Sequence, residues 1–162
     1  MNGMPAVVDE LLQKALVCEL AVIGAKGQPV VHPLIPLWDG QRIYMTSSVL
    51  FSKKMEHIKR NPRVSLSVTD PIASGAMKAR CSIQGDARIV EDDPHETWEQ
   101  VLPLWRAKEP AIDLFLGKRF ALPLFFERSI IEVTPRRVYW WDDGDPARPP
   151  QTAQIAVRVE AL

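Results

Sequence analysis

The sequence predicts a mainly β domain: a small antiparallel barrel of six to seven strands with about three helices inserted. Three observations carry this. Apolar residues fall in many short runs, punctuated by Gly-containing turns such as "AKGQ" at 25–28 and "WDGQ" at 38–41. The regular strand–helix alternation that a doubly wound sheet needs is absent. The length, 162 residues with 46% hydrophobic and 25% charged, suits one domain able to bury its own core.

Residues 5–17, "PAVVDELLQKALV", fit a helix. Val8, Leu11, Leu12, Ala15 and Leu16 recur at helical spacing, and Pro5 suits a first turn. The period then changes. Residues 18–46 hold three apolar runs, 18–23, 29–38 and 42–46, which read as a three-stranded meander. Pro33 and Pro36 remove ladder donors from the second run and confine part of it to an edge or a bulge. A helix over 53–60 ends before Asn61, whose place ahead of Pro62 disfavours helical backbone. "VSLSVT" (64–69) alternates, with Val64, Leu66 and Val68 on one face. "AMKARCSIQGDARIV" (76–90) reads as a long strand in which Gly85 marks a bulge or bend. "DDPHETWEQVLPLWRA" starts a helix that Pro103 is expected to bend or end. Residues 111–126 read as an irregular helical piece. "RSIIEVTPRRVYWWDD" (128–143) reads as a last strand pair broken at Thr134-Pro135. The barrel with its N-terminal helix thus occupies 1–141. Residues 142–162 form a Pro-rich linker followed by a tail or short strand, with "IAVRVEAL" (155–162) the candidate strand.

Several chemistries lack their residues. No Gly-rich phosphate loop and no nucleophile elbow is present. His32, His57 and His95 are scattered without metal-ligand spacing, so no metal site is expected. Cys18 and Cys81 sit in apolar contexts, have no CxxC partner and read as reduced core thiols. No run approaches the length of a membrane span, and the N-terminus lacks a signal-peptide pattern, so a cytoplasmic location is expected. With 20 basic and 20 acidic residues the net charge is zero, which disfavours nucleic-acid binding as the main role.

The informative feature is "FSKKMEHIKRNPR" (51–63). Two lysines open a helix, where exposed N–H groups and partial positive charge favour acids. Thr46, Ser47 and Ser48 come just before it. Hydroxyls, helix N–H groups and two cations would together form an anion pocket. The residues alone leave two other readings open: a solvated lysine pair, and a nucleic-acid patch built from Lys53, Lys54, Lys59, Arg60 and Arg63.

The block from about 18 to 90 resembles the pyridoxamine 5'-phosphate oxidase-like family of FMN-binding split barrels. The resemblance rests on "AVIGAKGQPVVHPLIPLWDGQRIYMTSS", "SKKMEHIKRNPRVSLSV" and "RCSIQGDARIVED". It implies a flavin-dependent oxidoreductase acting on a small molecule, and a homodimer with two FMN sites at its interface. Lys54 matches the base on the flavin phosphate, with Lys53 beside it. Val31, His32 and Pro33 lie in the segment that runs along the flavin and its ribityl chain. Thr46 and Ser47 match cofactor-touching strand-end positions. Arg80 falls where the family presents a polar residue to the flavin, and Trp140 and Trp141 where relatives bring an aromatic near it. The Tyr and Arg set and the Arg–His pair with which the authentic oxidase holds pyridoxamine phosphate are not found, so oxidation of vitamin B6 is not expected. The same barrel also serves flavin reductases, deazaflavin-dependent reductases, haem-handling proteins and uncharacterised members, so a deazaflavin-dependent reductase and a non-catalytic flavin-binding or small-ligand-binding protein stand as alternatives. A haem role would fall to His32, His57 or His95.

Overall fold

A computed structural model describes residues 3–48, 52–92, 94–116 and 128–156. Helix α1 (Ala6–Lys14) leads into β1 (Cys18–Ile23), β2 (Pro29–Leu34), β3 (Leu37–Trp38) and β4 (Ile43–Ser48). Helix α2 (Lys53–Arg60), β5 (Arg63–Val68) and β6 (Arg80–Val90) follow. Helices α3 (Pro94–Lys108) and α4 (Ile112–Leu116) precede β7 (Arg128–Trp141) and β8 (Gln151–Gln154). The strands form one antiparallel sheet in the order β2-β1-β5-β6-β7-β4-β3, with β8 added to β7.

The chain's own connectivity forces this sheet to curl. β2 and β3 lie at opposite ends of the path, yet only Ile35 and Pro36 separate them. Three residue steps span at most roughly 11 Å. Seven strands laid flat would put their edges about 29 Å apart. The sheet therefore wraps into a half-barrel, and the gap between β2 and the β3–β4 hairpin is its split. Residues 18–46 are consequently not a meander. The apolar run 29–38 divides between the two sides of the split, and β1 and β4 pair with the distant strands β5 and β7. Pro36, which cannot donate to a ladder, sits at the division.

The inside of the barrel is packed. Leu20, Val22, Met45, Leu66, Ile83 and Val133 are fully or almost fully buried there, and Leu11 and Leu12 of α1 and Ile58 of α2 join the same cluster. A second cluster lies on the outer face, where Trp98, Val101 and Trp105 of α3 cover Leu37, Tyr44, Val90 and Ile130. Alternation along β4 serves both clusters, with Ile43 and Met45 inward and Tyr44 outward.

Three expectations about proline fare differently. Pro103 does not end α3, which runs on to Lys108. The lost hydrogen bond and ring clash cost about 3 kcal/mol. Burial of Trp98, Val101 and Trp105 offsets it, with the two indoles edge to face at 5.8 Å and 76°. Thr134-Pro135 does not break the last strand either. The ladder register shifts between Gln84 and Gly85, so Gly85 opposes Pro135 while Gln84 opposes Arg137. The bulge expected at Gly85 absorbs the missing donor. A Cβ at Gly85 would collide with the Thr134 carbonyl, so the position requires glycine. Pro33 does sit in an edge strand, β2. The terminal strand falls on Gln151–Gln154, ahead of the stretch 155–162, most of which lies outside the described residues. Only 112–116 of the helical piece expected over 111–126 lies within them.

Candidate anion site at the split

The end of β4 departs from its own pattern. The inward position after Ile43 and Met45 is Ser47, 3% exposed, a hydroxyl where an apolar side chain would continue the core. Ser52 then occupies the N-cap position of α2 but makes no side-chain bond to the helix backbone. Its Oγ lies 2.8 Å from Ser47 Oγ. Lys54 folds back over the helix start, and its Nζ donates to Ser47 Oγ at 3.0 Å and to Ser52 Oγ at 3.3 Å. Burial pushes the Lys54 ammonium below its ordinary pKa. Lys53, by contrast, is exposed.

Two histidines converge on the same place. His32 of β2 pairs across the ladder with the buried Leu20, so it shares the inward face. His57 lies one turn along α2 from Lys54, on the same side of the helix. His32 Nε2 and His57 Nδ1 are both buried without a hydrogen-bond partner. The His32 imidazole is held below the usual histidine pKa, first by burial, then by Lys54, then by His57. Among the described residues no carboxylate pairs with Lys54, His32 or His57. An ammonium, two hydroxyls and two ring nitrogens thus meet at the split, beside a helix N-terminus and without a counter-charge among the described residues. That donor set suits a phosphate and fits the phosphate end of a flavin nucleotide.

The other residues singled out from sequence lie elsewhere. Val31 and Pro33 occupy the opposite face of β2 from His32; both are exposed, Val31 by 56%. That outer face continues into a groove of about 610 Å³ that reaches Ala21, Ser65, Gln84 and Arg137. Thr46 is half-buried and alternates with Ser47. Ser48 ends β4, and its side chain lies outside the described residues. Arg80 starts β6 opposite Trp141. Trp140 packs against the inner core and donates from Nε1 to Asp142 at 3.0 Å. Ser47 pairs with Ser129 at one end of β7, whereas Trp140 and Trp141 stand at the other. Two residues of the cluster escaped the sequence reading as anion contacts: Ser52, concealed in the N-cap position, and His57, whose signal was its spacing of three from Lys54. Among the described residues no three His, Cys, Asp or Glu side chains converge as metal ligands.

A sequence profile described as pyridoxamine 5'-phosphate oxidase matches residues 4–142. The chain belongs to the pyridoxamine 5'-phosphate oxidase family. Solved structures agree with the split-barrel fold of that family. An F420 reductase is 27% identical with a TM-score of 0.62, over 83% of this chain and 98% of its own. A conserved hypothetical protein from Mycobacterium tuberculosis is 22% identical with a TM-score of 0.66, over 91% of both chains. A Clostridium acetobutylicum protein related to general stress protein 26, of the pyridoxinephosphate oxidase family, is 18% identical with a TM-score of 0.63, over 91% of this chain and 92% of its own. No curated protein sequence matches the chain. Family members are often flavin-dependent oxidoreductases, binding FMN or F420. No helix among the described residues is long and apolar enough to cross a membrane.

Proposed function

We propose that the chain is an FMN-binding oxidoreductase that acts as a homodimer on a small molecule. The observation that carries this is the Lys54 ammonium held between Ser47 and Ser52, with no counter-charge among the described residues. FMN, when bound, supplies the hydride or electron chemistry. The chain's own residues anchor and orient it. Lys54 and the two hydroxyls take the phosphate, while the outer face of β2, with Val31 and Pro33 exposed, offers an apolar rest. Arg80 and Trp140 stand away from Ser47 within one chain, so they would approach a flavin anchored by the partner subunit. The exposed face of β2 and the groove beside it support such a pairing. Oxidation of pyridoxamine phosphate is not proposed, because the chain lacks the residues with which the authentic oxidase holds it.

The test is the absorbance of freshly purified protein, with a band at about 450 nm expected from bound FMN. Lys54→Ala should weaken FMN binding by roughly 10- to 100-fold, the scale of a charge-assisted hydrogen bond. Wild-type affinity in that variant would sink the reading. A second reading, a deazaflavin-dependent reductase, draws on the likeness to the F420 reductase. It requires the same lysine and a band at shorter wavelength. Flavin binding without turnover by NAD(P)H would instead identify a binding protein.

A further inference from the structure

We propose that His32 and His57 complete the phosphate site with Lys54, and that His32 takes up a proton as a terminal phosphate enters, so that the site prefers phosphomonoesters and binds them more tightly toward pH 6.5. This rests on the phosphate-anchoring reading above and goes beyond it by adding two residues, a selectivity and a linkage.

Two buried ring nitrogens without partners carry the argument. A buried polar atom left unpaired costs free energy, and here two such atoms face the one cation already set to receive an anion. They also come from independent elements. His57 belongs to the Lys54 face of α2, while His32 stands on β2, across the split from Ser47. Among the described residues the groups around His32 are neutral or cationic: Leu20 across the ladder from β1, and Lys54 and His57 from α2. No carboxylate among the described residues acts on it. The surroundings therefore keep the imidazole neutral until a negative charge arrives and reverses the local field.

A phosphomonoester suits this arrangement. It has three terminal oxygens and a second ionisation near pH 6, so it is largely dianionic at neutral pH. Three nitrogens and two hydroxyls approaching from β2, β4 and α2 can serve all three oxygens. A diester has two terminal oxygens and a single charge that does not change between pH 6 and 8. It would leave a nitrogen unserved and give His32 less reason to take a proton.

Flavin fluorescence titrations at pH 6.5 and 8.0 test this, with FMN, riboflavin and FAD as probes. Uptake of one proton changes affinity by up to tenfold per pH unit. Wild-type protein should lose about tenfold in FMN affinity between the two values. Riboflavin, without phosphate, and FAD, whose phosphates are diesters, should show no such slope. His32→Gln, which keeps a donor but cannot titrate, should bind FMN with little pH dependence. His57→Gln should weaken FMN binding and leave riboflavin unchanged. The His32 ring-proton titration of wild-type protein, followed by NMR, should move to higher pH on saturation with FMN, a readout that needs no variant to fold. A flat FMN profile, or an unmoved His32 titration, overturns the linkage while leaving FMN binding in place. Failure of wild-type protein to bind FMN overturns both.

Discussion

Lys54 shows how a residue that is unfavourable by local rules is explained by its neighbours. A lysine in the first turn of a helix opposes the dipole by about 0.3–1 kcal/mol. Here its ammonium is drawn back onto Ser47 and Ser52, away from the helix axis, which suits the proposed phosphate site. Three other buried titratable groups make a prediction at this scale. Burial pushes the thiols of Cys18 and Cys81 up to about 12 and Lys108 down to about 8. Lys108 lies against backbone, donating to the carbonyls of Leu12 and Pro36. The raised thiols contribute stability that is present below their unfolded pKa of 9.0 and is lost as pH rises beyond it. The depressed lysine acts the other way, because between about 8 and 10.5 the unfolded chain holds the proton that the folded chain has released. Two thiols outweigh one lysine. The two slopes nearly cancel at pH 9, where the unfolded thiols are half ionised, and by about pH 10 stability should fall by roughly 1–2 kcal/mol per pH unit, measured by urea denaturation. With Cys18→Ala and Cys81→Ala combined, the slope should reverse and stability rise with pH. A fall of the same size in that double variant would refute the assignment.

At the scale of elements, the β6–β7 ribbon joins the barrel to its outer layer. Glu132 of β7 is 5% exposed, with Arg88 of β6 holding it in a two-pronged pair at 2.9 and 3.0 Å and Arg42 adding a third contact at 3.2 Å. Arg88→Met should cost about 2 kcal/mol by leaving a buried carboxylate on one partner. Arg88→Met with Glu132→Leu should recover most of that loss, because an apolar pair of similar size needs no desolvated charge. Thermal unfolding of the three proteins measures it, and no recovery in the double variant would argue against the cause given. The bulge in the same ribbon predicts that Gly85→Ala is damaging. A Cβ would strike the Thr134 carbonyl, and separating the strands there should cost about 2–3 kcal/mol. Helix α2 was legible in the sequence to the residue, because Asn61-Pro62 ends it and Ser52 precedes it. The Pro103 and Thr134-Pro135 stops were not legible as through-going elements. A proline's local penalty is visible in sequence, whereas the indole burial and the ladder shift that offset it come from partners distant along the chain.

At the scale of the whole molecule, the split bears on where the proposed cofactor would sit. The barrel interior is filled by the inner core, so a ligand must sit at the rim or on the outer face. The proposed homodimer follows from this scale as well, since the residues that resemblance ties to the flavin fall on both sides of the chain. Sedimentation equilibrium should give twice the 18.3 kDa chain mass, and charged substitutions at Val31 should shift it toward monomer. A wild-type monomer that binds FMN with full affinity would remove the partner from the site.

The sequence by itself determined the class of the fold, the bounds of α2 with two lysines at its start, and the kinship of the chain, because periodicity, turn residues and the "SKKMEHIKRNPR" segment are local signals. Only the tertiary structure decided that residues 29–38 divide across the barrel's split, that β8 falls on Gln151–Gln154, and that His32 and His57 join Lys54. The reason is physical. A strand's partner and a side chain's neighbours are set by how the whole sheet curls, and that curl is fixed by contacts between residues far apart in the chain.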